Sequence, residues 1–177
     1  ESVVGLKPAK AWIRRFIDQS LRHFVAGEPY RMRHVIVEGG LGTGKSKAVE
    51  LIAKAVHAMG LAPSSTITDV RKDSNGLVTG AVNRINLDSD DVSAGRFDSL
   101  VRRLEKSASA SGDLALVVVS GKSRKTMEFK GGSIALCKRE PDVVKLQPFS
   151  NEELAMCVMQ QMIKKVDLSP RRIKYSP

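Results

Sequence analysis

Metal-ligating and disulfide-forming residues are scarce in this 177-residue sequence. It has two cysteines, Cys137 and Cys157, and three histidines, His23, His34 and His57. Two cysteines cannot build a disulfide framework, and the spacing of neither residue type matches a zinc site. A reducing, intracellular compartment follows as the expectation: cytoplasm, or the matrix or stroma of an organelle. No apolar run approaches the roughly 18 residues that cross a bilayer, so no membrane span is expected. Aromatic residues make up only 5% of the chain and do not interleave with the basic ones. That argues against a stacking platform for single-stranded nucleic acid. There is no internal repeat and no low-complexity segment, and the N-terminus shows no signal peptide, which a fragment could have lost. The first residue is Glu1 rather than Met, and the sequence reads as a piece of a longer protein.

What is present begins with charge. Lys and Arg number 29 against 19 Asp and Glu, a net charge of +10. The basic residues are scattered rather than clustered, so the plainer reading is a solvated basic surface. The functional reading is attraction to polyanions: nucleotides, nucleic acid or acidic partners. Apolar content of 42% suits one globular domain, or one domain and part of another.

Periodicity alternates between strand and helix. "LKPAKAWIRRFIDQSLRHF" carries Ala9, Trp12, Ile13, Phe16, Ile17, Leu21 and Phe24 at three-to-four spacing, with Pro8 in the first turn of an amphipathic helix. "RHVIVE" is a short β-branched run suited to a buried parallel strand. "SKAVELIAKAVHAMG" is a helix with Ala48, Leu51, Ile52, Ala55, Val56 and Met59 inward and Gly60 as its stop. "SSTITDVR" and the weaker "VNRINLDSDD" read as strands. "AGRFDSLVRRLEKSA" reads as a helix with Phe97, Leu100, Val101 and Leu104 on one face. "DLALVVVSG" and "DVVKLQPF" are further strands. "SNEE", Ser150 to Glu153, is a capping box opening a helix that carries Leu154, Val158, Met162 and Ile163. Its methionines Met156, Met159 and Met162 read as packing residues rather than a cofactor site. Strands alternating with helices imply a parallel sheet covered on both faces.

Gly39-Gly40-Leu41-Gly42-Thr43-Gly44-Lys45-Ser46 fits G-x-x-x-x-G-K-[ST], between an incoming strand and an outgoing helix. The glycines let backbone N–H groups line an anion-sized concavity. The helix presents its positive end to phosphate. Lys45 would reach the β and γ oxygens of ATP or ADP, and Ser46 would offer its hydroxyl to Mg2+. Hydrolysis asks for more: an acid at a neighbouring strand end to hold Mg2+ through water, a second acid to polarise the attacking water, and an arginine at the γ-phosphate. Asp88 is the candidate metal acid. Ser89 follows it where a glutamate is expected, and Asp90 and Asp91 lie just beyond. The plainer reading of this stretch is a polar loop of solvated aspartates.

Together these segments resemble the AAA+ ATPases, and within them the CbbX-like branch that includes red-type Rubisco activases. The residues that carry the likeness are "VVGLKPAKAWIRRFI", "VIVEGGLGTGKSKAVELIAKAV" and, in outline, "SIALCKREPDVVKLQPFSNEEL". In the last, Leu136, Arg139, Pro141, Phe149, Ser150, Glu153 and Leu154 match. Ser133-Ile134-Ala135 stands in place of the family's asparagine-proline-glycine turn. The resemblance implies an α/β P-loop NTPase fold with strands near 34–38, 66–71, 82–88, 114–120 and 143–147. The expected sheet order is 5-1-4-3-2, flanked by helices. It implies a nucleotide-binding domain over residues 1–149 and the start of a truncated helical lid over 150–177. By position it makes Val4-Gly5-Leu6 the contact to the base, Ser120 a polar sensor and Arg139 an arginine finger. It also marks departures. A helix and a pore loop expected between the second and third strands have little room, since Leu77-Val78 is the only remnant, and the Walker B pair is degenerate at Ser89.

Three functions stand on these residues. The first is an AAA+ ATP-binding module that remodels or assembles protein partners, within an oligomer that the family makes hexameric. Ser89 tilts its hydrolysis toward weakened or absent. The second is a non-hydrolysing nucleotide-binding scaffold subunit. The third is a nucleic-acid-associated P-loop ATPase.

Overall fold

β-Branched runs bounded by glycine form the core of the molecule. The computed structural model describes residues 3–30, 32–70, 77–88, 106, 109–110, 113–126 and 140–166. The chain divides into two compact units, Leu6–Gln147 and a smaller one of Glu1–Gly5 with Pro148–Pro177.

In the larger unit, helix α1 (Lys7–Val25) precedes strand β1 (Val35–Glu38) and helix α2 (Lys45–Ala58). Strands β2 (Ile67–Asp69), β3 (Val82–Asn86), β4 (Leu116–Gly121) and β5 (Asp142–Lys145) follow. All five strands join one sheet in the order β2-β3-β4-β1-β5, and every pairing is parallel. This is the P-loop NTPase order expected from the resemblance, read from the opposite edge. The face expected of the helix at 94–108, Phe97, Leu100, Val101 and Leu104, lies outside the described residues, as do Leu136 and Cys137.

Burial on both faces explains why β1 and β4 are apolar up to their last residues, over 35–37 and 116–119. Every residue of both is buried. β3 differs because Asn83 sits inside it, fully buried. Its amide donates to the carbonyls of Val78 (2.8 Å), Ala81 (3.2 Å) and Leu116 (3.3 Å), and its Oδ1 accepts from Val78 N–H (2.8 Å). A saturated amide of this kind is tolerated in a core and fixes the chain entering the strand. β2 pairs with β3 through Ile67–Asp69 only.

α1 buries Ala9, Trp12, Phe16 and Ser20. Trp12 stacks on Phe16 with centroids 5.4 Å apart, and its Nε1–H donates to Asp142 Oδ2 at 2.8 Å, tying the helix to β5. The inward stripe ends a turn earlier than the periodicity suggests, leaving Leu21 and Phe24 exposed. The buried face of α2 is Ala48, Val49, Ile52, Ala53 and Val56, rotated slightly from the expected set toward small residues that let helix and sheet approach. Gly60, at φ 70°, ends that helix, and Leu61 N–H returns to Val56 O at 3.1 Å.

In the smaller unit, helix α3 spans Asn151–Val166. The capping box is formed: Ser150 N–H donates to Glu153 Oε2 (2.9 Å), and Glu153 N–H to Ser150 Oγ (3.2 Å). Gly5, at φ 65°, packs so closely that a Cβ there would meet the Phe149 ring at 2.5 Å. The packing expected of Met156, Met159 and Met162 is not found, because each is about half exposed.

Candidate functional site

The site grows from the C-terminal ends of β1, β3 and β4. Gly39 leaves β1 with its N–H donating to Gly121 O at 3.1 Å, which anchors the loop to β4. A Cβ at Gly39 would run into Thr43 Oγ1 and come within 3.2 Å of Leu146 Cβ, so the loop can fold back only around a glycine. Gly42 (φ 73°) and Gly44 (φ 82°) take the left-handed conformation that turns the chain into α2. Thr43 is buried and donates to Gly40 O at 3.0 Å, bracing the loop from inside. Ala48 N–H reaches Gly44 O at 2.9 Å, closing the first turn of α2 behind it. Leu41 at the loop's tip and the Ser46 side are exposed.

The Lys45 ammonium lies over this loop. It donates to Gly39 O (2.9 Å) and Gly40 O (2.7 Å) and stands 3.1 Å from Asp88 Oδ2. Asp88 follows β3, placed there by Leu87 N–H donating to Ser120 O at 2.8 Å. Its Oδ1 accepts from Lys122 N–H (3.0 Å), and its own N–H donates to Asn86 Oδ1 (3.2 Å). The carboxylate is thereby aimed at Lys45. The side chains of Lys45 and Asp88 are 12% and 23% exposed, sheltered enough for strong pairing yet open to a ligand.

Ser120 is buried on β4, in register with Val37 and Asn86. Leu6 is buried and precedes α1 with φ 54°, while Val4 and Gly5 belong to the smaller unit. Ser89, Asp90, Asp91 and Arg139 lie outside the described residues.

Two further groups at this end of the sheet escaped the sequence reading. Glu38, the last residue of β1, is buried, and Thr126 Oγ1 lies 3.1 Å from its Oε1. Thr126 sits on a helical turn at 123–126. The signal available for Glu38 was one acid in an apolar run, directly before the first loop glycine. Thr126 had no signal, since its partner is distant in sequence.

The site offers a glycine-lined concavity, a helix N-terminus, the Lys45 ammonium, an exposed hydroxyl at Ser46 and a carboxylate opposite. That donor set fits a polyphosphate with a hard divalent cation: backbone N–H groups and Lys45 for phosphate oxygens, Ser46 and Asp88 for Mg2+. No cluster of three or more potential metal-ligating His, Cys, Asp or Glu residues occurs among the described residues. No described helix is long and apolar enough to cross a membrane.

No protein-family model and no curated protein matches the chain. Among solved structures it is similar to the Thermotoga maritima RuvB Holliday junction branch migration motor, with a TM-score of 0.55 and 18% identity. It is also similar to a point mutant of RuvB, with a TM-score of 0.50 and 18% identity. Each alignment covers 93% of this chain and 52% of the other, so the chain spans about half the length of the structures it matches. The likeness is one of fold: a five-stranded parallel sheet in the P-loop NTPase order, flanked by helices.

Proposed function

We propose that this chain is an ATP-binding AAA+ module of a larger protein that remodels or assembles protein partners, akin to the CbbX-like branch. The observation that carries the reading is the convergence of Lys45 and Asp88 at 3.1 Å over a loop that only glycines permit. In this reading the loop N–H groups and Lys45 bind the phosphates of ATP or ADP. Ser46 and Asp88 hold Mg2+, which supplies charge neutralisation at the β and γ oxygens. Val4, Gly5 and Leu6 contact the base, Ser120 senses the γ-phosphate, and Arg139 acts on a neighbouring subunit's nucleotide in a ring. Residues 150–177 begin a lid. These finer roles rest on the resemblance.

The test is equilibrium titration with Mg·ATP. Lys45→Ala removes a charge-assisted contact of about 1.5–3 kcal/mol, so affinity should fall roughly 10- to 100-fold. Equal affinity in the variant rejects the site.

A second reading has one observation in its favour: the fold is similar to that of a Holliday junction branch migration motor, and this chain carries a net charge of +10. In it the module works on nucleic acid. A gel shift with branched or duplex DNA that weakens with salt supports this reading. No shift at low salt dismisses it.

A further inference from the structure

A basic residue at a strand end is most often a solvated one. Lys122 is placed too specifically for that reading. It is the first residue after β4, and β4 lies between β1, which leads into the phosphate loop, and β3, which leads to Asp88.

The sheet defines which way it faces. Val37, Ser120 and Asn86 are in register, so they share a face. The backbone ladder continues past them: Leu87 N–H donates to Ser120 O at 2.8 Å, and Gly39 N–H to Gly121 O at 3.1 Å. Because side chains alternate, Gly39, Lys122 and Asp88, two positions further on, form the next row of that face. It is the face of the phosphate loop, since a Cβ on Gly39 would run into Thr43 Oγ1. Ser120, in the row beneath, is buried, whereas Lys122 is exposed.

Hydrogen bonds tie this row together. Lys122 N–H donates to Asp88 Oδ1 at 3.0 Å, and the Lys45 ammonium stands 3.1 Å from Asp88 Oδ2. The Lys122 backbone and the Lys45 ammonium thus sit on the two oxygens of one carboxylate. From there the Lys122 ammonium, on its flexible four-carbon stem, reaches the space above that carboxylate. Its side chain makes no hydrogen bond or ion pair among the described residues. Asp88 is matched by Lys45, which leaves Lys122 as the uncommitted cation of the three.

A loop lysine such as Lys45 marks where the β and γ oxygens of a nucleotide lie. A terminal phosphate held by Lys45 would therefore have Lys122 beside it, on the β4 side. ADP stops one phosphate short of that place. We propose that Lys122 binds the terminal phosphate of ATP and makes the site prefer triphosphate to diphosphate. The inference deepens the reading of the site as an ATP site and rests on it. Lys45 approaches the phosphates from α2 and Lys122 from the end of β4, so both cations come from one chain. An ammonium carries three donors on a compact charge, which suits a charge-assisted contact to phosphate oxygens.

Equilibrium titrations of the full chain test this, with Mg2+ present, using ADP and the non-hydrolysable β,γ-imido analogue of ATP. Wild type is compared with Lys122→Ala and Lys125→Ala, and melting temperatures are recorded. Lys122→Ala keeps the backbone N–H that holds Asp88. It should melt within a few degrees of wild type and lose about tenfold in affinity for the triphosphate, with less than about a twofold change for ADP. Lys125→Ala removes another exposed charge from the turn at 123–126 and should change neither affinity by more than about twofold. Unchanged triphosphate affinity in Lys122→Ala overturns the proposal. So does an equal loss for both nucleotides. A loss just as large in Lys125→Ala overturns it too, because it would trace the effect to the general basic field. A wild type that binds neither nucleotide instead overturns the reading of the site itself.

Discussion

The centre of the sheet and its β2 edge are built by different physics. β1 and β4 bury every residue, and the phosphate loop, Lys45 and the strand carrying Ser120 all depend on them. β2 contributes three residues, none of them buried. It is held to β3 by parallel backbone pairing and by the Arg84 guanidinium, whose NH2 nitrogen donates to Asp69 Oδ2 at 2.8 Å. Apolar burial makes the centre stiff and unforgiving, whereas an exposed ion pair lends the edge little. The candidate site stands at the buried centre of the sheet, where small displacements cost most.

Substitutions should separate the two regions by size of effect. Ile36→Ala empties a site in β1 that is 1% exposed, and urea unfolding should show a loss of about 2–5 kcal/mol. A loss below about 1 kcal/mol would mean the centre is loosely packed. Gly121→Ala comes next. The new Cβ would meet Leu87 Cβ at 2.9 Å, and neither atom can swing away. Overpacking should cost about 1–3 kcal/mol and, by shifting the chain before Asp88, weaken Mg·ATP binding in the same titration. Unchanged stability and affinity would show that β3 and β4 slide freely. The smallest change is Asp69→Ala at the edge. Its pair with Arg84 is partly exposed, so the loss should be at most about 1 kcal/mol and should shrink in high salt. A loss as large as that of Ile36→Ala would erase the distinction between centre and edge.

The fold was readable because its signals were strong and local. "VIVE" and "LVVVSG" are buried on both faces, so they carry no alternation that could be misread. β3 read as weak because of Arg84 and Asn86, which are explained only by a distant partner, Asp69, and by the strand end. Apolar periodicity marked α1 and α3 correctly as helices but overstated burial. Phe24 is 81% exposed and Met159 61%, since periodicity records an apolar face and not what covers it.

The sequence by itself determined the phosphate loop. Its glycines, the left-handed turns at Gly42 and Gly44 and the helix that starts at Lys45 are matters of local backbone freedom and i→i−4 hydrogen bonding. Tertiary structure alone decided which partners the acids at this end of the sheet meet. Asp88 meets Lys45 because β3 lies one strand from β1 with β4 between them. Glu38 meets Thr126 across a separation of 88 residues because β1 and β4 pair in one register. Register is a long-range property set by the packing of the whole sheet, and no local pattern encodes it.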